Sequence, residues 1–305
     1  MAKTKVEFVC RECGASHHQW AGQCLDCKAW NTLEEIVISQ ATASKPESLK
    51  DLPASKVQHL SEIKSQNKDR LSTGLTELDR TLGGGLVDGS VVLIGGDPGI
   101  GKSTLILQAL STLNKENTTL YVSGEESAEQ VSERAVRLGI KEDVLFIGET
   151  HLEKILKLSK DVQPKVIVID SIQTMVTDLS TSAPGSVTQV RDCAAQLTQY
   201  AKQTNTVLLM IGHVTKGGAL AGPRILEHMV DAVLYFEGDA GGRYRIIRAV
   251  KNRFGAVNEI SVFAMGEKGL QQVSNPSSIF LSNQENPSSG SMVMVTREAT
   301  RPLLV

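Results

Sequence analysis

SVVLIGGDPGIGKST, residues 90–104, decides the fold. The hydrophobic run SVVLIG has strand character and leads directly into GDPGIGKST, which begins at Gly96 and has the spacing G-x-x-x-x-G-K-[ST]. The helical pattern KSTLILQALSTL follows it. Glycines in such a turn let backbone N–H groups converge on phosphate oxygens, and the helix N-terminus adds positive potential. The expected cradle is Gly96, Asp97, Pro98, Gly99, Ile100, Gly101, Lys102, Ser103 and Thr104. Lys102 is expected to reach the β- and γ-phosphates of ATP, and the Ser103 hydroxyl to ligate Mg²⁺.

The downstream pattern repeats this alternation. TLYVS (119–123), KVIVID (165–170), VLLMIG (207–212) and AVLYF (232–236) are strand runs. EESAEQVSERAVRLG (125–139) and TQVRDCAAQLTQYAKQ (188–203) have helical spacing. Strands separated by helices predict an α/β fold with a mostly parallel central sheet covered on both faces. YRIIRAV (244–250) and AVNEISVF (256–263) have no helix between them and suggest a hairpin that extends the sheet.

Ligand-binding groups in such sheets gather at the carboxyl ends of the strands. Asp170 ends KVIVID and is placed to hold Mg²⁺ through water. Glu125 and Glu126 follow TLYVS, where an acid can polarise the attacking water; Glu125 is preferred, with the choice between the neighbours open. Gln173 and His213 follow other strand ends and are candidates for sensing the γ-phosphate. Two long segments leave the same edge, SIQTMVTDLSTSAPGSVTQ (171–189) and VTKGGALAGPRILEH (214–228). The second carries Lys216 and Arg224, which could track the phosphates of single-stranded DNA.

Four of the five cysteines lie near the N-terminus, as Cys10, Cys13, Cys24 and Cys27. Two C-x-x-C pairs can close a tetrahedral S₄ site, the geometry zinc accepts; iron bound as in rubredoxin uses the same ligands. Such a site leaves no open coordination position, so the metal is expected to be structural. His17 and His18 are read as exposed surface residues, and Cys193 as a buried structural thiol on a helical face.

The chain of 305 residues is 41% hydrophobic and 22% charged, with a formal net charge of -2, so any basic footprint is local. No apolar run is long enough for a membrane span and MAKTKVEFVC has no signal-peptide core, which makes a cytoplasmic location the expectation. The expected organisation is a metal unit at 1–36, a Ser/Lys/Ala-rich linker at 37–56, a nucleotide-binding domain at 57–275, and a joint at 276–305 that opens a further domain.

These features together resemble the RadA (Sms) family of bacterial DNA-repair ATPases, within the RecA-like superfamily. The four cysteines fit its zinc finger, GDPGIGKST its Walker A loop and VIVID its Walker B strand. KNRFG, residues 251–255, fits the signature that separates this family from RecA itself. The resemblance implies a RecA-like P-loop core that uses ATP, Mg²⁺ and Zn²⁺. It implies a DNA-dependent ATPase, a helicase or translocase type of motor that forms hexameric rings on single-stranded DNA. It further implies action on branched recombination intermediates beside the RecA recombinase, with Glu125 at the catalytic glutamate position. Family members carry a Lon-protease-like C-terminal domain, and SGSMVMVTREATRPLLV is similar to its first segment. A non-translocating DNA-binding or scaffold protein switched by ATP is the alternative reading.

VKNRFG, residues 250–255, then has a role. A stiff hairpin carrying Lys251 and Arg253 can supply cations to a neighbouring subunit's γ-phosphate, as an arginine finger does, or can act on DNA. Gly255 is expected to release the turn and Phe254 to pack the tip.

Overall fold

The computed structural model describes residues 5–10, 15–38, 70–213, 225–238, 242–277, 281 and 292–304. Cys13, Lys216, Arg224 and most of the expected linker lie outside the described residues. The chain divides into two compact units, Met1–Asp69 and Arg70–Val305.

In the first unit, strands β1 (Lys5–Cys10), β2 (Ser16–His17) and β3 (Leu33–Ile38) form an antiparallel sheet in the order β2-β1-β3. Among its described residues Cys10, Cys24 and Leu33 are buried, with Phe8, Ala15 and Ala21 packed against them.

The second unit is built on one sheet. Its elements in chain order are α1 (Thr76–Thr81), β4 (Val91–Gly96), α2 (Lys102–Leu113), β5 (Thr119–Ser123), α3 (Ala128–Leu138), β6 (Leu145–Gly148), α4 (Leu152–Val162), β7 (Val166–Asp170), α5 (Val187–Thr204), β8 (Val207–His213), α6 (Ile225–Met229), β9 (Ala232–Glu237), β10 (Tyr244–Asn252), β11 (Ile260–Gly266) and β12 (Gly269–Gln272). The strand order is β12-β11-β10-β9-β4-β8-β7-β5-β6. From β9 to β6 every pairing is parallel, and from β9 to β12 every pairing is antiparallel. A hairpin of β13 (Val295–Glu298) and β14 (Arg301–Leu304) follows, tied down by Arg301 Nη1 at 2.5 Å from Glu77 Oε2.

The sheet is buried on both faces, and the period of two decides which residue faces which layer. In β4, Val92 and Ile94 join a cluster with Leu105, Ile106 and Leu110 of α2. Val91 and Leu93 turn the other way, into a cluster with Ile155 of α4 and with Val190 and Leu197 of α5. Helix ends follow local chemistry. Ser127 and Gln130 close a capping box on α3, and Gly139 ends that helix in the left-handed conformation. Cys193 is buried in the second cluster and burial pushes its thiol up to about 12, as suits an inert packing residue.

The segment after β7 is more ordered than its polar composition suggests. Ile172, Met175 and Thr177 are buried, and the Thr177 hydroxyl donates to Glu153 at 2.5 Å. Exposure starts only beyond them, with Asp178 and Leu179.

The VKNRFG turn also differs from expectation. Lys251 does not project: its Nζ donates to the carbonyls of Glu227 and Val230 at 2.6 and 2.7 Å, satisfying acceptors at the end of α6. Arg253 remains 60% exposed and lies 3.2 Å from Asp231. Gly255 is needed for close approach, since a Cβ there would meet the Gly83 Cα at 2.7 Å. Asp231 is buried and also accepts the Val91 N–H at 3.0 Å and the ammonium of Lys202. Replacing Asp231 by Ala leaves that buried N–H unsatisfied, while Lys202 and Arg253, 47% and 60% exposed, turn to water. It should cost about 1–3 kcal/mol in chemical denaturation, against about 1 kcal/mol or less for Lys202→Ala.

Candidate active site

Parallel pairing aligns the carboxyl ends of β4, β5, β7 and β8. Gly96 pairs with His213, and Ser123 pairs with Asp170. A cleft of about 340 Å³ opens there, lined by the Pro98–Thr104 turn and by Glu125, Glu126, Arg134, Asp170 and His213. Gly96, Gly99 and Gly101 have φ of 153, 74 and 113°, a run that side chains with a Cβ resist. A Cβ on Gly99 would meet nothing within 4 Å, so the loop rim faces open space. Beneath it, the buried guanidinium of Arg245 donates from Nε to the Ile100 carbonyl at 2.9 Å.

Lys102 is buried and curls back on the loop, donating to the carbonyls of Gly96 and Asp97 at 2.8 Å each. Its Nζ is 3.4 Å from His213 Nδ1. Burial lowers its pKa, against the opposing pull of Asp170, Glu125 and Asp97. Asp170 is also buried, and burial raises its pKa, although Ser103 and Tyr121 hydrogen-bond to it. The Tyr121 hydroxyl donates to Asp170 Oδ2. The two central groups of the cleft are thus both held away from their comfortable charged states by desolvation.

The two neighbouring glutamates separate cleanly. Glu125 accepts from the Ser171 hydroxyl and lies 3.1 Å from His213 Nε2. Its pKa is lowered, first by the His213 hydrogen bond and then by Ser171, with burial opposing. Glu126 instead pairs with Arg134 of α3. Glu126 Oε2 and Arg134 Nη1 are buried without a hydrogen-bond partner among the described residues. Gln173 Nε2 donates to the His213 carbonyl at 3.2 Å, linking the two expected sensors. The structure therefore gathers Lys102, Ser103, Asp170, Glu125, Gln173 and His213. Lys251 and Arg253 lie elsewhere: Lys251 pairs with Val233 near the start of β9, at the opposite edge of the sheet.

Sequence reasoning did not anticipate Tyr121, Arg134 or Arg245. Each acts across strands or between a helix and the turn before it, as Arg134 of α3 does in reaching Glu126.

The donor set fits a magnesium nucleotide: a glycine rim open to solvent, a buried cation beside it, and a hydroxyl–carboxylate pair at Ser103 and Asp170.

In the first unit the sulfurs of Cys10, Cys24 and Cys27 lie within 4.8 Å of one another, which suits a thiolate-bound Zn²⁺. His17 is not the exposed residue expected. Its side chain is 12% exposed, with Nε2 at 3.4 Å from Cys24 Sγ and 3.5 Å from Asp26, because β2 pairs it with Phe8 of β1. No helix among the described residues is long and apolar enough to cross a membrane.

Residues 8–35 match a rubredoxin metal-binding domain, and residues 70–256 match a family of unknown function (DUF7125). The chain is 56% identical over 306 residues to the DNA repair protein RadA of Pseudomonas aeruginosa, covering 100% of this chain and 68% of that protein. It is 52% identical over 312 residues to RadA of Escherichia coli, again covering 100% and 68%. RadA of Bacillus subtilis is 48% identical over 309 residues, with the same coverage. The chain belongs to the family of the bacterial DNA repair protein RadA.

Proposed function

We propose that this chain is a DNA-dependent ATPase that hydrolyses ATP to ADP and phosphate. The reading extends to a ring-forming, hexameric motor on single-stranded DNA in the cytoplasm. It would process branched recombination intermediates beside the RecA recombinase in DNA repair. One observation carries the enzymatic part: Lys102, Asp170, Glu125 and His213 converge at one sheet edge around a glycine turn. A zinc unit at the N-terminus, the nucleotide-binding domain at 57–275 and the opening of a further domain at 276–305 complete the proposed organisation.

Ser103 and Asp170 would hold Mg²⁺, which supplies charge neutralisation on the phosphates. Lys102 exchanges the Gly96 and Asp97 carbonyls for phosphate oxygens. Glu125 is ionised at neutral pH, since its pKa is lowered, and it orients the attacking water by accepting its hydrogen bond. Ser171 and His213 hold that carboxylate in place. Arg253 is the cation offered to a neighbour's γ-phosphate, and Lys251 braces the strand that carries it.

Lys102→Ala should abolish tight nucleotide binding or turnover, as read by labelled-nucleotide titration and phosphate release; a rate equal to the parent would sink the assignment. In His213→Ala the largest influence lowering the Glu125 pKa is gone. Ionised Glu125 is present above its folded pKa, so the acidic limb of the kcat profile should move to higher pH. An unmoved limb would exclude Glu125 as the ionising group. Full-length Arg253→Ala protein mixed with the parent should depress ATPase activity more than dilution does, whereas loss in simple proportion would place Arg253 outside the neighbour's site. Metal analysis should find one equivalent of zinc per chain; less than half would count against the thiolate site.

Translocation on a labelled fork separates the motor from the ATP-switched scaffold, since phosphate release without strand movement fits only the latter.

A further inference from the structure

Behind the cleft lies a buried hydroxyl, that of Tyr121. The residue sits in the middle of β5 and is among the largest fully buried side chains of the protein. Strand pairing explains where its ring goes. Tyr121 lies opposite Val168 of β7 and Ser123 lies opposite Asp170, so Asp170 is one pleat farther along the same face of the sheet. A diagonal neighbour on the next strand is within reach of a long aromatic side chain. The Tyr121 hydroxyl completes that reach by donating to Asp170 Oδ2. On the other side, β6 places Phe146 opposite Tyr121, and the two rings stack with centroids 6.4 Å apart and planes 18° from parallel. Tyr121 and Val168 share one apolar cluster with Leu105 and Ile106 of α2. The ring is thus packed on both sides, with its hydroxyl aimed at one carboxylate oxygen. Packing alone does not call for that hydroxyl. Phenylalanine would fill nearly the same space beside Phe146 and Val168, whereas a buried carboxylate needs donors.

We propose that Tyr121 is a positioning residue for the carboxylate that serves Mg²⁺. By donating to Oδ2, the hydroxyl fixes the orientation of Asp170. The other acceptor positions of the carboxylate are left for the Ser103 hydroxyl, which also hydrogen-bonds to it, and for the cation. Without that donor the carboxylate can swing toward Lys102, whose charge attracts it. Tyr121 is not among the described residues that line the cleft, so it meets the metal nucleotide only through Asp170. The main chain supports the same placement, since the Gly124 N–H donates to the Asp170 carbonyl at 2.9 Å and ties the ends of β5 and β7 together. This role deepens the ATPase reading and rests on it, because it requires Asp170 to hold Mg²⁺.

The test is equilibrium binding of a fluorescent, non-hydrolysable ATP analogue, titrated with Mg²⁺. It is run on the full chain as parent, Tyr121→Phe, Asp170→Asn and the double variant. Tyr121→Phe keeps the ring, and it should raise the Mg²⁺ concentration for half-maximal binding about tenfold. Binding measured in EDTA should stay at the parent level, which also shows that the cleft is folded. In the Asp170→Asn background the same change should leave the Mg²⁺ dependence where it was. A lower thermal midpoint with an unaltered Mg²⁺ dependence would overturn the proposal, since that is what a packing role gives. Equal shifts with and without Asp170 would overturn it too, because Tyr121 would then not act through the carboxylate. So would a loss of binding in EDTA as large as the loss in Mg²⁺. A parent chain whose analogue binding ignores Mg²⁺ would remove the ATPase reading and this role together. Mg²⁺-dependent binding in the parent that Tyr121→Phe leaves unmoved would remove this role alone.

Discussion

Parallel pairing on both sides of β4 is the constraint on which the rest depends. Because β8 and β9 both run in its direction, the phosphate turn leaves the sheet beside His213, and β7 beyond β8 delivers Asp170 to the same edge. No loop has to reach across the sheet to complete the cleft. The helices needed to connect parallel strands cover both faces, and the apolar residues of β4 divide between the two resulting cores. Site geometry and sheet packing are therefore one requirement: a slip in strand register would misplace the carboxylate and expose the core together.

The edge so formed holds charge under tension. Burial lowers the pKa of Lys102 and raises that of Asp170, so desolvation disfavours the charged form of each. Loop carbonyls accept from the ammonium and the Tyr121 hydroxyl donates to the carboxylate, which limits the cost of keeping them there. A ligand that brings negative phosphate oxygens to Lys102 and a divalent cation to Asp170 relieves both penalties at once. Glu125 is different, because His213 and Ser171 favour its ionised form. Three titratable groups within one cleft are thereby driven in different directions by their surroundings, which is the pattern expected where chemistry is carried out.

Local spacing made much of this legible in the sequence. The phosphate turn, Asp170 at a strand end and the paired cysteines are each specified by a few adjacent residues. The choice between Glu125 and Glu126 was not local. It depends on Ser171 and His213 reaching one carboxylate and Arg134 reaching the other, across three elements. The inward turn of Lys251 was hidden for the same reason, since its acceptors are main-chain carbonyls of Glu227 and Val230 whose availability depends on where α6 ends. His17 looked like a surface residue because its neighbours in sequence are polar; its pairing with Phe8 covers it. Short strands β6 and β12 at the two sheet edges carry too few residues for a pattern to stand out.

Strand β10 joins the two ends of this arrangement. It runs antiparallel to β9, so Ile246 lies opposite Glu237 near the nucleotide edge, and Asn252 lies opposite Ala232 at the far edge. At the first end, Arg245 holds the phosphate turn through the Ile100 carbonyl. At the other, Lys251 is fixed to the end of α6, while Arg253 sits on Asp231, which also accepts the first N–H of β4. The cations of VKNRFG are thus separated from their own chain's phosphate turn by the full length of a strand buried in a sheet. Bending cannot bring them back, because the sheet would have to break. Arg253 is therefore held at the opposite end of β10 from the glycine turn, and the stiffness that separates it from its own chain's cleft would hold the cation steady for a phosphate of DNA or of a neighbouring chain.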